Sequence, residues 1–298
     1  MQEFTIRDIE RMSGIKAHTI RVWESRYGIA LPHRKKSKHR YYTNDDLKKV
    51  LRIAWLYHQG YRVSYIASLT DEAVSALIDE AVRGGQFYAN QIADLLEASR
   101  EMDDDAIERV LGSTVLTLGI ERAMAHVIYP VLERIGLRWM NDEINPAQEH
   151  FASYHFRNML VRHIDALPRN SAASPGTILV FAPEEEHHEI PLLFIHYLLR
   201  KNGYSVAYLG ANVPLHIVEE FCEKRPIVQL HFHLLTNFTH YTAEEYLDLL
   251  SSRYPKKEVV MSGPLSAQIA LPAPNALTIG SFDALVHYCR QPFRQRVE

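Results

Sequence analysis

The chain has 298 residues, 47% of them hydrophobic and 23% charged, which is enough apolar material for two or three packed domains and excludes a disordered polyelectrolyte. Its start, MQEFTIRDIERMSG, lacks a signal-peptide apolar run, and no stretch nears the roughly eighteen apolar residues of a membrane span. A cytoplasmic protein is therefore expected. Cys222 and Cys289 stand far apart with no CxxC partner, so a disulfide framework and a thiolate metal site are also excluded.

The net charge of −3 conceals an asymmetry: residues 1–62 hold 14 Lys/Arg against 6 Asp/Glu, a surplus of +8, while the remainder carries −11. A polyanionic partner is expected for the N-terminal part alone. Within it, TIRDIERMS places Ile6, Ile9 and Met12 at helical spacing before Gly14, and KAHTIRVWESRYG places Ile20, Trp23 and Tyr27 on one face before Gly28. Helix, glycine turn and second helix form a helix-turn-helix, whose second helix enters the major groove. Its other sides carry His18, Thr19, Arg21 and Arg26. The segment LPHRKKSKHRYY reads as a basic wing, with Arg34, Lys35, Lys38 and Arg40 set against phosphates and Tyr41 and Tyr42 beside the backbone. Thr43 then caps TNDDLKKVLRIAWLYHQG, and GYRVSYIA opens another short helix.

TIRDIERMSGIKAHTIRVWESRYG, RYYTNDDL and GYRVSYIA together resemble the DNA-binding domain of the MerR family over about residues 3–70. The resemblance implies a winged helix-turn-helix on double-stranded DNA, with Thr19, Arg21 and Arg40 to Tyr42 at the duplex. Core packing is expected for Trp23 and Tyr27, and Arg21 is open to a helix-supporting role as well.

Residues 72–101 and 103–118 carry apolar positions at i, i+3 and i+4, and Asp103-Asp-Asp supplies a cap. A further helix from about Ile120 to Arg138 is expected to kink at Pro130, and Asn145-Pro146 starts one running to Leu167. This is a helical bundle. Trp139 ends one of its helices, and Glu149-His150 lies in the first turn of the next. That spacing suits a ring and a carboxylate over one cavity, and equally a core Trp with a Glu favoured by the helix dipole.

PRNSAASPG, residues 168–176, marks a domain boundary. Beyond it TILVFA, YSVAYLG, PIVQLHFH, KEVVMSG and ALTIGS alternate with helical segments, which predicts a five-stranded parallel sheet in flavodoxin-like order. Three domains follow: 1–72, 73–168 and 176–298. After the first of these strands, APEEEHHEIP projects Glu186 and His188 over the sheet just before a helix.

That loop, LGANVP and the Trp139, Glu149, His150 spacing resemble the cobalamin-binding regulators of the CarH type. The resemblance implies a helical cap over adenosylcobalamin, with Trp139, Glu149 and His150 as cap residues and His188 as lower cobalt ligand, His187 competing. The pattern departs in specific places. Pro191 stands for the loop glycine, and bulky His231 and His233 replace small hydroxyl residues where the nucleotide tail would pass. Ser262-Gly263-Pro264 replaces a Gly-Gly, and Met140 stands where a cobalt-trapping His can occur.

The expected function is a DNA-binding repressor, homodimeric or homotetrameric, whose C-terminal half senses cobalamin. Two alternatives stand beside it: the same regulator with a cobalamin-independent module answering a protein partner or another ligand, and a corrinoid carrier of a methyltransferase. No nucleophile-base triad or phosphate-binding glycine loop is present in the sequence, so no enzyme is expected.

Overall fold

A short polar side chain ahead of the first helix fixes where it begins. Thr5 and Asp8 close a reciprocal capping box at α1 (Ile6–Ser13), and Gly14, at φ 70°, ends it in the left-handed conformation that an L side chain resists. α2 (Ala17–Tyr27) stops the same way at Gly28, φ 68°. In this computed structural model residues 4–291 are described, apart from 31, 35–39, 59, 83–87, 142, 169–175, 237–240 and 271. The chain divides into two compact units, Met1–Phe156 and Arg157–Glu298.

In the first unit the expected wing is a two-stranded antiparallel ribbon, β1 (His33–Arg34) with β2 (Arg40–Tyr41). Tyr42 continues from it into a bridge with Phe4. α3 (Asn44–His58) and α4 (Val63–Ile66) follow. Ile9, Ile20, Trp23, Tyr42, Leu47, Val50 and Ile66 make a buried core beneath them, which Val74 and Leu137 extend. Each fully buried large side chain contributes on the order of 1.5–3 kcal/mol, so this core is a main source of the head's stability.

The helical part comprises α5 (Asp71–Val82), α6 (Ala89–Glu101), α7 (Asp104–Leu118), α8 (Ile120–Ala123), α9 (Tyr129–Met140) and α10 (Pro146–Asp165), the last crossing the unit boundary. The kink expected at Pro130 is realised as a π turn, Met124–Ile128, just before it, where the Tyr129 N–H reaches back five residues to the Met124 carbonyl. Pro130 has no N–H and its ring crowds the preceding turn, so a wider turn removes the conflict.

The second unit holds the parallel sheet, β3 (Thr177–Pro183), β4 (Ser205–Val213), β5 (Ile227–His233), β6 (Glu258–Ser262) and β7 (Ala276–Ile279), in the order β4-β3-β5-β6-β7. This is the flavodoxin-like order expected. Between the strands run α11 (Glu189–Lys201), α12 (Leu215–Lys224) and α13 (Ala243–Arg253), with α14 (Phe282–Arg290) last. One face of β5 is apolar, Leu230 and Phe232, with Leu234 just past its end, joining a core with Val218, Leu247 and Leu250. Its other face is polar and buried: Gln229, His231 and His233. The strand is central, so polar side chains on it lie deep in the unit.

Candidate functional site

Outward from the head's core, α2 presents His18, Arg21, Val22, Ser25 and Arg26 around an open depression of about 640 Å³. His18, Arg21 and Arg26 are exposed and Thr19 is half-buried. Tyr41 is half-buried on the ribbon with its ring 5.4 Å from that of His33, and Arg40 is exposed beside it. Lys35 and Lys38 lie outside the described residues, as does the Arg34 side chain. Tyr42 departs from the expectation of a residue at the duplex, because it is fully buried and its hydroxyl donates to Glu24 on the inner face of α2. Burial, with the hydrogen bond and charge of Glu24, raises its pKa, so the phenol stays protonated and locks the ribbon's base to the second helix. Sequence reasoning missed Glu24, whose only signal was an acidic residue on the apolar side of a basic helix.

In the helical part, Trp139 is half-buried near the end of α9, and Met140 packs on the head's core. Asn145 and Gln148 cap α10 reciprocally, with bonds of 2.9 and 3.0 Å. Glu149 accepts from Ser153 Oγ at 2.5 Å and lies 2.8 Å from Nδ1 of the exposed His150. Glu149 and His150 are thus brought together, on the first turn of one helix.

At the carboxyl edge of the sheet the organising group is Glu186. It is fully buried, and its carboxylate accepts from the His188 amide at 3.0 Å and from His188 Nδ1 at 2.6 Å. The other oxygen accepts from the amides of Leu235 and Thr236, at 2.9 and 2.8 Å, and from Thr236 Oγ1 at 3.1 Å. Burial acts to raise its pKa, but the hydrogen bond and charge of His188 and the Thr236 and His188 amides outweigh it and hold the carboxyl down at about 2. Two non-glycine residues in the left-handed region fix the loop around it. Glu185, φ 72°, donates to Asn212 Oδ1, and Asn212, φ 57°, donates from its amide to the Glu186 carbonyl, both at 2.8 Å. His188 itself is 48% exposed, while Pro191 is buried in the first turn of α11, where a missing N–H costs no helical bond.

Next to this hub the polar face of β5 is closed. His231 Nε2 and His233 Nδ1 lie 3.0 and 2.9 Å from Ser262 Oγ at the end of β6, and the two residues are 0% and 7% exposed. The His231 ring stands edge-on to Tyr288 of α14, centroids 5.9 Å apart. Burial, with the neighbouring His233, lowers the His231 pKa to about 3. Burial lowers that of His233 to about 4, Glu186 opposing and His188 adding to the effect. Gly263, φ 114°, passes so near β5 that a Cβ would sit 2.0 Å from the Leu234 carbonyl.

Comparison with known proteins agrees with these two halves. A family profile described as MerR HTH family regulatory protein matches residues 4–73, and one described as B12 binding domain matches residues 91–160. The HTH-type transcriptional repressor CarH of Myxococcus xanthus is 31% identical over 217 residues, 71% of this chain and 72% of the relative. CarA of the same organism, also an HTH-type transcriptional repressor, is 32% identical over 232 residues, 76% and 75% of the two chains. The chain belongs to this CarH and CarA family. It is a DNA-binding regulator with a cobalamin-type sensor module. The Methanosarcina barkeri monomethylamine corrinoid protein superposes with a TM-score of 0.55 at 15% identity, over 69% of this chain and 100% of that one, a likeness of fold. Among the described residues no helix is long and apolar enough to cross a membrane.

A corrinoid makes two separate demands on the second unit of this family member. The first is a lower cobalt ligand, for which His188 is the candidate that the sequence resemblance offers. Nδ1–H donating to the Glu186 carboxylate fixes the tautomer that leaves Nε2 with a lone pair, the support that metal-binding imidazoles use. The second is room for the nucleotide base that an imidazole must displace from cobalt. Set against that demand, His231, His233 and Ser262 are buried and hydrogen-bonded to one another on the polar face of β5.

Proposed function

We propose that the chain is a transcriptional repressor that binds double-stranded DNA through the outer face of α2 and the β1–β2 wing. Its helical and sheet parts form a corrinoid-sensing module that controls oligomerisation. The observation carrying this reading is the exposed basic face of α2, with His18, Arg21 and Arg26 around one depression on a segment of charge +8. Phosphates reward such a surface, and Arg40 and Tyr41 extend it on the ribbon; Arg34, Lys35 and Lys38 remain candidates from the sequence alone. Tyr42 serves from below, holding ribbon to helix through Glu24. Two copies are needed to read paired half-sites, so the active species is a dimer or a pair of dimers.

In this reading residues 1–72, 73–168 and 176–298 are head, cap and sheet module. Trp139, Glu149 and His150 are the cap's contribution, and His188, held by Glu186, is the lower ligand. A bound corrinoid would supply a visible chromophore and a metal-centred ligand exchange that protein side chains lack. Binding of the purified protein to fragments of its own promoter region tests the output. Specific complexes that weaken at least ten-fold in Arg21→Ala and Arg40→Ala are expected, and wild-type binding by both variants contradicts it.

A second reading keeps the same head but gives the module no corrinoid, with a protein partner or another ligand as signal. The Ser262-bridged histidines favour it, since they fill the part of the sheet through which the family resemblance would route a nucleotide tail. Gel filtration after mixing with corrinoid in the dark separates the two readings, because only the first retains a visible chromophore.

A further inference from the structure

We propose that the sheet module prefers a corrinoid lacking the lower nucleotide over complete cobalamin, with His231 and His233 as the residues that set the preference. This rests on the corrinoid reading above and names the ligand class within it. The argument begins with axial chemistry. In cobalamin the nucleotide base is tethered to the ring and occupies the lower axial position. An imidazole can take that position only if the base leaves, and the displaced base then needs room of its own within reach of its tether. In this chain the described residues beside Glu186 and His188 are already engaged with one another.

On one side, both oxygens of the Glu186 carboxylate are filled by His188, Leu235 and Thr236, which draws the segment after β5 against the loop after β3. On the other, Ser262 Oγ joins His231 and His233 across β5 and β6, and the Leu234 N–H donates to the Ser262 carbonyl at 2.9 Å. Gly263 then brings backbone against the Leu234 carbonyl with no space for even a methyl group. The two rings lie on the buried polar face of the central strand, with His231 packed edge-on against Tyr288. A bicyclic base would have to displace both imidazoles and their shared hydroxyl. A corrinoid without the nucleotide asks for none of this, and meets an imidazole that is 48% exposed and already oriented.

Adenosylcobinamide and adenosylcobalamin share the corrin ring and upper ligand and differ in the lower nucleotide, so they are the matched probes. Titration of the full chain in the dark, followed by visible absorbance, should give a Kd for adenosylcobinamide at least ten-fold below that for adenosylcobalamin. The cobinamide spectrum should shift toward imidazole ligation, and His188→Ala should lose that shift. Equal affinities, or cobalamin bound tightly with its base replaced by His188, overturn the proposal while leaving the corrinoid reading intact. Retention of neither probe removes the corrinoid reading itself, and the proposal with it. Replacing both rings, His231→Ser with His233→Ser, should narrow the ratio to less than three-fold by raising cobalamin affinity. An unchanged ratio in a variant with wild-type circular dichroism counts against the assignment of these residues. Should the double variant fail to fold, the comparison of the two probes on the wild-type chain still decides.

Discussion

Acidification should unfold the sheet unit through its histidines before its carboxylates are affected. His196, His231 and His233 are held at pKa values of about 4, 3 and 4, in each case chiefly because burial disfavours the charged ring. For His196 the nearby Arg200 adds to the effect and Asp165 opposes it. In the unfolded chain the same rings titrate near the ordinary value of about 6.5. Between those limits the unfolded state binds more protons than the folded one. Stability is therefore complete above about pH 7 and is lost as the pH falls from about 6.5 toward about 4. From pH 7 to pH 5 each ring kept neutral in the fold costs on the order of 2 kcal/mol, so the three together remove about 4–6 kcal/mol after allowance for the partial exposure of His196. That is comparable with the whole stability of many domains. Glu186, held at about 2, contributes its own loss only below about pH 4.5, outside this window. Urea titrations at pH 7 and pH 5 measure the difference. All three tryptophans, Trp23, Trp55 and Trp139, lie in the first unit, so their fluorescence is an internal reference while far-ultraviolet circular dichroism follows both units. A circular dichroism transition with the same free energy at both pH values would refute the reasoning.

Glu186→Ala removes the acceptor from the Leu235, Thr236 and His188 amides, and should cost about 3–5 kcal/mol in urea unfolding; a loss under 1 kcal/mol would mean water replaces the carboxylate freely. Gly263→Ala combines a left-handed φ of 114° with a contact against the Leu234 carbonyl, so a loss of about 2–4 kcal/mol is expected, and a change within about 0.5 kcal/mol contradicts the close approach. Gly112→Ala is the opposite case, because Gly112 sits exposed in α7 with open space around its Cβ position. It should stabilise the first unit by up to about 1 kcal/mol, read as a higher thermal midpoint, and a lower midpoint would show hidden packing there.

Much of the fold could be read from spacing because its signals are local. Gly14 and Gly28 end helices that apolar periodicity had already outlined, and the strand segments from TILVFA to ALTIGS alternate with helices at intervals that only a parallel sheet satisfies. Pro130 announced a distortion, but whether the helix would bend or widen into a π turn depends on how its neighbours pack, which spacing does not encode. At the site, Glu186 and His188 could be paired in advance because they are two residues apart in one loop. The donors from Leu235 and Thr236, some fifty residues on, could not. The alternation Gln229, His231, His233 in IVQLHFH did hold a legible signal, a strand polar on one face, yet its burial depends on the strand being central. Tyr42 sits where the chain leaves the ribbon for α3, and only the depth of its bridge to Phe4 decides that the ring points inward to Glu24.

Salt-dependent binding to DNA from its own promoter region tests the central claim most directly. If each head neutralises about three phosphates, a dimer neutralises about six, and the logarithm of the binding constant should fall with the logarithm of salt at a slope near −5. Arg21→Ala and Arg40→Ala, two copies each, should flatten that slope by about 2 and weaken binding. A slope near zero, or one that neither substitution alters, would contradict a DNA-binding role for α2 and the ribbon.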